Sequence, residues 1–202
     1  RYPAGFSGDS VISWKSLQFQ PYFTATASNI GYGWWSHDIG GHTHGKRDDE
    51  LQTRWLQFGV FSPILRMHST SNPFNGKEPW RYGPEACGIM TAFLRLRHRL
   101  LPYLYSMNWR CHILGEPLIQ PMYYAWPRED AAYQVPNEYL FGNQLIAVPI
   151  TSPMSPELRL ASADAWLPDG LYHDLFTGTI YHGGGRRRLY LSLIHISEPT
   201  RP

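Results

Sequence analysis

The sequence predicts an α/β unit with parallel strands followed by an all-β domain, and three observations carry the prediction. Up to Leu114, short apolar runs alternate with helical patterns in the order strand, loop, helix. Polar and charged residues gather at the C-terminal ends of those runs. From Glu116 the texture changes to short extended runs punctuated by turns.

Taken in order, residues 1–9 are rich in Gly, Ser and Pro and read as a loop, and Val11 to Leu17 as the start of an amphipathic helix. Asp9 then stands at a loop-to-helix junction, where an Asp before an apolar run serves as an N-terminal cap. The aromatic run Gly31 to Asp38 reads as a strand buried on at least one face and ending on Asp38. A polar, Gly-rich loop leads to Arg47, and Asp48-Asp49-Glu50 then precede Leu51, Trp55, Leu56 and Phe58, a helical spacing with acids at its N-terminus. Pro63-Ile64-Leu65 is a second brief apolar run, ending on Arg66 and His68. Ile89, Phe93, Leu96, Leu100, Leu104 and Met107 recur at helical intervals between Pro84 and Leu114, with any bend placed at Pro102. Asp9, Asp38 and His68 thus fall on successive loops, 29 and 30 residues apart, one β/α unit each. In a barrel of such units, active sites are built at that edge, where the βα loops converge.

The boundary to the β-rich part lies near Gly115. Extended runs are predicted at Leu118 to Met122, Tyr139 to Leu140, Leu145 to Ile150, Leu158 to Leu160, Leu171 to Leu175 and Leu189 to Leu191. Pro168-Asp169-Gly170, Thr177-Gly178 and Tyr181 to Gly185 read as turns. Arg186-Arg187-Arg188 is assigned to a solvated hairpin face in a turn between strands.

Composition narrows the partner. Lys and Arg number 18 against 16 Asp and Glu in 202 residues, so no electrostatic case exists for nucleic acid or an anionic membrane surface. Aromatics reach 15% while charged residues make up only 17%, which favours recognition of sugars or other uncharged ligands through ring faces and hydrogen bonds. Cys87 and Cys111, 24 positions apart in helical sequence, are expected to remain unbridged, and scarce cysteines suit a cytoplasmic location. The chain begins at Arg1 without a methionine, so the lack of a signal-peptide pattern carries no information.

Several blocks resemble a known family when taken together. Arg1-Tyr2-Pro3-Ala4-Gly5-Phe6-Ser7-Gly8-Asp9-Ser10 with Trp14 resembles the acid/base segment of glycoside hydrolase family 31. Ser36-His37-Asp38-Ile39-Gly40-Gly41, Arg54-Trp55, Ser62-Pro63-Ile64-Leu65-Arg66-Met67-His68, Pro79-Trp80 and Leu101-Pro102-Tyr103-Leu104-Tyr105 follow in that family's order. The resemblance implies a retaining α-glycosidase: residues 1–114 the C-terminal part of a (β/α)8 TIM barrel, residues 115–190 an all-β sandwich, truncated at both ends. Leu191 to Arg201 resemble the translation of a transposase adapter used in DNA library preparation, so residues 191–202 are set apart as a non-native tail.

By the same resemblance Asp9 is the general acid/base. Asp38 holds hydroxyls of the sugar in the cleaved subsite, His68 is its partner and Arg66 a companion, while Phe6 and Trp34 or Trp35 line the sugar face. His42 occupies a loop position that sets sugar preference. The family's nucleophile lies in a Trp-x-Asp-Met-Asn-Glu-type motif on an earlier strand, and no such motif occurs in this sequence, so the chain alone is expected to be inactive. The implied partner is an oligosaccharide or α-glycoside, with no cofactor, nucleic acid or membrane. Three other readings stand beside this one. Asp38 pairs structurally with His37 or Arg66; His37, Asp38, His42 and His44 form a metal centre; or the pocket binds sugar without cutting it.

Overall fold

A computed structural model describes residues 4–192 and the backbone of Pro199 and Thr200. Residues 1–3, 193–198 and 201–202 lie outside the described residues, and with them the start of the first motif and most of the tail set apart above.

The opening is not wholly loop. Ala4–Phe6 forms β1, which pairs in parallel with β3, Trp34–Ser36, in the register Ala4↔Trp34 and Phe6↔Ser36. Val11–Ile12 is a short strand, β2, so the predicted helix begins later, as α1, Trp14–Thr26. Its cap is Ser13, whose side chain accepts from the Ser16 N–H at 3.1 Å; Asp9, four residues upstream, does not cap it. β2 pairs in parallel with β4, Thr43–Gly45, inside the segment expected to be loop throughout. Strands this short give the alternation rule too few positions to register.

The helix expected after Asp48 is α2, Asp49–Val60, with the Asp48 carboxylate accepting from the Leu51 N–H at 3.0 Å. It is buried all round from Leu51 to Val60, polar Gln52, Thr53, Arg54 and Gln57 included. The run at residues 62–67 forms only one parallel bridge, Ser36↔Ile64. The long helical stretch splits into α3, Pro84–Arg99, and α4, Leu101–Leu114, with Leu100 at the break and Pro102 in the first turn of α4. Proline fits that turn because its missing N–H has no helical partner to lose. Gly115, at φ 71°, closes α4 in the left-handed conformation that glycine adopts without strain.

Beyond it, β5 (Ile119–Pro121) precedes the single-turn helix α5 (Asp130–Tyr133), and β6 (Tyr139–Phe141) and β7 (Leu145–Ala147) follow. Then come β8 (Ala161–Leu167), β9 (Leu171–Asp174), β10 (Ile180–His182), β11 (Gly185–Leu191) and β12 (Pro199–Thr200). Strands β10, β9, β12, β7, β6 and β5 form one antiparallel sheet in that order, and β8 and β11 a separate two-stranded antiparallel sheet. The apolar layer between them includes Ile146, Val148, Ile150, Trp166, Leu167, Tyr172 and Leu189. The residues at 158–160 form no strand, and Arg186 to Arg188 lie within β11, not in a turn, on its exposed stretch. The opposite face of the larger sheet joins the first core, where Tyr139 and Phe141 pack with Phe58, Phe61 and Met90. The Tyr139 hydroxyl donates to the Phe61 carbonyl at 2.9 Å.

Glu138, just before β6, is buried, and one of its oxygens accepts from the Trp166 N–H at 2.8 Å. Burial pushes this carboxyl up to about 8 from an ordinary value of 4.5. The stability it contributes is therefore complete below pH 4.5 and is lost as pH rises toward about 8. Glu138→Gln, which cannot ionise, is expected to raise the Tm of the chain more at pH 8 than at pH 5 in thermal denaturation. Equal changes at both pH values would contradict the burial of a protonated acid.

Candidate active site

The parallel pairings at Ser36 align the ends of three chain segments. Phe6 pairs with Ser36 on one side and Ile64 bridges to it on the other, with the Ser7 N–H donating to the Ser36 carbonyl at 3.0 Å and the Ile64 N–H to the Trp35 carbonyl at 3.3 Å. Asp9, Asp38 and Arg66 follow the last paired residue of their segments by three, two and two positions. The Ile39 N–H donates to the Arg66 carbonyl at 3.3 Å and extends the third contact to the level of Asp38.

Glycines then turn the second segment back. Gly40 and Gly41 take φ values of 89° and 79°, and the Gly41 N–H donates to the Asp38 carbonyl at 2.9 Å. A Cβ at Gly41 would sit 2.7 Å from the Ile12 Cα, so this close approach to β2 excludes any side chain. The His42 and Thr43 N–H groups both donate to the Ser10 carbonyl, at 2.7 and 3.2 Å, and the Thr70 N–H donates to the His42 carbonyl at 3.2 Å. Three loops far apart in sequence are thereby joined through the backbone around His42.

Asp38 has no exposed surface. Its Oδ1 accepts from the Arg66 guanidinium at 2.6 Å, and Arg66 also donates to the Ser36 hydroxyl at 3.1 Å while its cationic carbon lies 4.6 Å over the centre of the Phe6 ring. Of the two partners proposed for an Asp38 ion pair, Arg66 is therefore the one it has. Burial pushes the Asp38 carboxyl up, and the charges of Arg66, His68 and His42 pull it back. The His42 ring lies between two carboxylates, Nδ1 at 3.5 Å from Asp38 Oδ2 and Nε2 at 3.6 Å from Asp9 Oδ2. Its centre is 4.9 Å from that of His68. Asp9 is 62% exposed at the side chain, Phe6 and His68 are exposed, and His42 is largely covered. The structure thus brings together Asp9, Asp38, His42, Arg66, His68 and Phe6.

It does not bring together the four residues of the metal string. His37 is wholly buried on the other side of its strand, its Nδ1 accepting from the Trp55 indole at 3.1 Å and its Nε2 paired with the Ser62 hydroxyl at 2.9 Å. The ring stacks on Phe58, and burial drops it to about 3, so it is a neutral core residue. His44 is exposed at φ 54° and joins no cluster of ligating atoms among the described residues. Trp35 is likewise core, edge-on to Phe23 and Tyr32, and does not line the site.

Sequence reasoning missed Lys77. Its buried ammonium donates to the Gly40 carbonyl at 2.9 Å and so holds the turn after Asp38; burial lowers it to about 8, against the pull of Asp38. Its one sequence signal was adjacency to the Pro79-Trp80 block.

The model of the Glycosyl hydrolases family 31 TIM-barrel domain matches residues 1–107, and that of the Glycosyl hydrolase family 31 C-terminal domain matches residues 115–198. The chain is 32% identical over 184 residues to alpha-glucosidase 2 of Bacillus thermoamyloliquefaciens, a match covering 91% of this chain and 22% of that protein. It is 32% identical over 185 residues to an alpha-xylosidase of Saccharolobus solfataricus, covering 89% of this chain and 24% of the other. A solved alpha-xylosidase of the family from a soil metagenome, complexed with xylose, superposes with a TM-score of 0.88 at 30% identity, covering 97% of this chain and 32% of that one. A mutant dextranase of the family from Flavobacterium johnsoniae, complexed with isomaltotriose, gives 0.90 at 29% identity, covering 100% and 25%. The chain spans about a fifth of the length of the curated relatives it matches.

The Asp38–Arg66 pair makes a test of the site's construction. Removing the guanidinium leaves a fully buried carboxylate without its partner, so Arg66→Ala is expected to cost about 2 kcal/mol. This is less than for a wholly buried pair because Arg66 is 37% exposed. Urea denaturation of the two chains checks it, and an unchanged midpoint would rule out the pairing.

Proposed function

The chain belongs to glycoside hydrolase family 31, and from that premise we propose that it carries the acid/base side of a retaining α-glycosidase active site, most specifically that of an α-glucosidase. The observation that carries the reading is Asp9, an accessible carboxylate at the mouth where Asp38, Arg66, His42, His68 and Phe6 converge. The α-glucosidase names of several relatives support glucose as the glycone, and the α-xylosidase among them marks the nearest competitor.

In this mechanism the anomeric carbon is attacked by a carboxylate as its bond to the leaving oxygen breaks, and Asp9 gives that oxygen its proton. A water then attacks the glycosyl ester from the side the leaving group vacated; Asp9 takes its proton and the nucleophile is released. Asp38 is unsuited to be the nucleophile, since Arg66 occupies one oxygen and burial covers the other. With no Trp-x-Asp-Met-Asn-Glu-type motif in this sequence to supply the second acid, the chain alone is expected to leave an aryl α-glucoside intact.

In the complete protein, Asp9→Ala is expected to lose hydrolysis of substrates with poor leaving groups most severely. With an activated aryl leaving group that needs no proton, added azide, which attacks the glycosyl ester without a general base, should restore turnover and yield an α-glycosyl azide. Full hydrolytic rates in Asp9→Ala would overturn the assignment. His42 is the proposed determinant of sugar preference, because a hydroxyl that reaches Asp38 Oδ2 must displace the imidazole facing it. Replacing His42 by Gln in the complete protein should shift the ratio of rates on α-glucoside and α-xyloside several-fold, within the range such pocket contacts give. An unaltered ratio removes His42 from this role.

A further inference from the structure

Apart from any reaction, the groups around His42 form an unusual polar arrangement. Asp38 Oδ2 and His42 Nδ1 face each other at 3.5 Å, both atoms buried and neither with a hydrogen-bond partner among the described residues. A buried carboxylate oxygen and an imidazole nitrogen that face each other without a hydrogen bond are costly unless a proton or a metal ion is shared between them. A third ligating atom is at hand, since Asp38, His42 and His68 each offer one within 4.8 Å of the others. We propose that these three residues form a binding site for a single divalent cation of the zinc class.

The spacing suits that ion. Zinc ligands at about 2.1 Å in tetrahedral array lie about 3.4 Å from one another. The Asp38–His42 separation of 3.5 Å already meets this, so only His68, which is exposed, has to swing inward. The surroundings hold the first two ligands in place. Arg66 on Oδ1 fixes the carboxylate with Oδ2 toward His42, and the backbone bonds from His42 and Thr43 to Ser10 fix the imidazole loop. Two imidazoles and one carboxylate select zinc-like ions over magnesium or calcium, which require oxygen-rich cages. Water completes the coordination. The trio differs from the His37, Asp38, His42, His44 string, of which only the middle two take part.

The site does not depend on the glycosidase reading. Where that reading holds, which this consequence rests on, the ion takes the Asp38 oxygen that the sugar would use and so excludes it. The test uses Zn2+ alone, with no sugar present: calorimetric titration of the chain at neutral pH with thermal denaturation in parallel. One ion should bind and raise the Tm, while Mg2+ does neither. His42→Gln and His68→Gln should each weaken binding by more than about tenfold, and His44→Gln, outside the trio, should not. Co2+ should give the intense visible bands of a four-coordinate site, lost in the same two variants. Absence of binding, or binding that survives both substitutions, would overturn the proposal. If His42→Gln does not fold, the exposed His68→Gln decides alone.

Discussion

The register at Ser36 is the constraint on which the rest depends. Phe6 and Ile64 flank it in parallel, and Asp9, Asp38 and Arg66 are counted from those pairings. Side chains in a strand alternate between faces, so a slip of one residue in β3 would turn Asp38 toward Trp55 and Phe58 and send His37 to the mouth. The neighbours of His37 forbid the slip. Its two ring nitrogens are matched by the Trp55 indole and the Ser62 hydroxyl, which itself donates to the Phe58 carbonyl, and its face by Phe58, a set that fits a neutral imidazole better than a carboxylate. The buried histidine and the buried acid beside it specify one another's face.

Those adjacent residues also show how environment assigns chemistry. Burial acts on both, pushing His37 down and Asp38 up, in each case against the charged form. His37 meets this by staying neutral within hydrogen bonds. Asp38 has the Arg66 guanidinium on Oδ1, whose charge offsets part of the desolvation while the carboxyl stays raised. The loop that carries His42 can approach only because Gly40 and Gly41 leave room for β2 and Gln52, and because Lys77 ties the Gly40 carbonyl down. The turn is thus as much a part of the site as the groups it carries.

Much of this was legible in the sequence. The alternation of apolar runs and helical patterns located α2 with acids at its N-terminus, and the polar ends of the runs picked out Asp9, Asp38, Arg66 and His68 at one edge. What was not legible has physical causes. β1, β2 and β4 are two or three residues long, too short for a period of two to show, and their pairing is set by partners about thirty residues away. The cap of α1 went to Ser13 because β2 intervenes where an uninterrupted helix was read. A string of histidines gives no face information in a Gly-rich loop: His37, His42 and His44 end in core, site and solvent. Lys77 was hidden because a lone lysine in a polar loop has no pattern, and only the fold buries it.

The β-sandwich takes part in this arrangement without contributing a site residue. Tyr139 and Phe141 enter the same core as α2, and the Tyr139 hydroxyl holds the Phe61 carbonyl at the point where α2 ends. On the other side Arg97 of α3 donates to the carbonyls of Val60, Ser62 and Pro63, so the turn leading to Ile64 is held from the sheet and from the helix at once. Ser62 within that turn carries the hydroxyl that meets His37, and Ile64 two residues on makes the bridge to Ser36. Polar residues of the buried helix α2 find partners in the β-domain and in the helix itself: Glu50 accepts from the Met154 N–H, and Arg54 donates to the Ser192 carbonyl and to Gln57 within α2. Docking of the β-domain and alignment of the strand ends are then one packing problem, which explains why an all-β unit follows the barrel segment so closely in this chain.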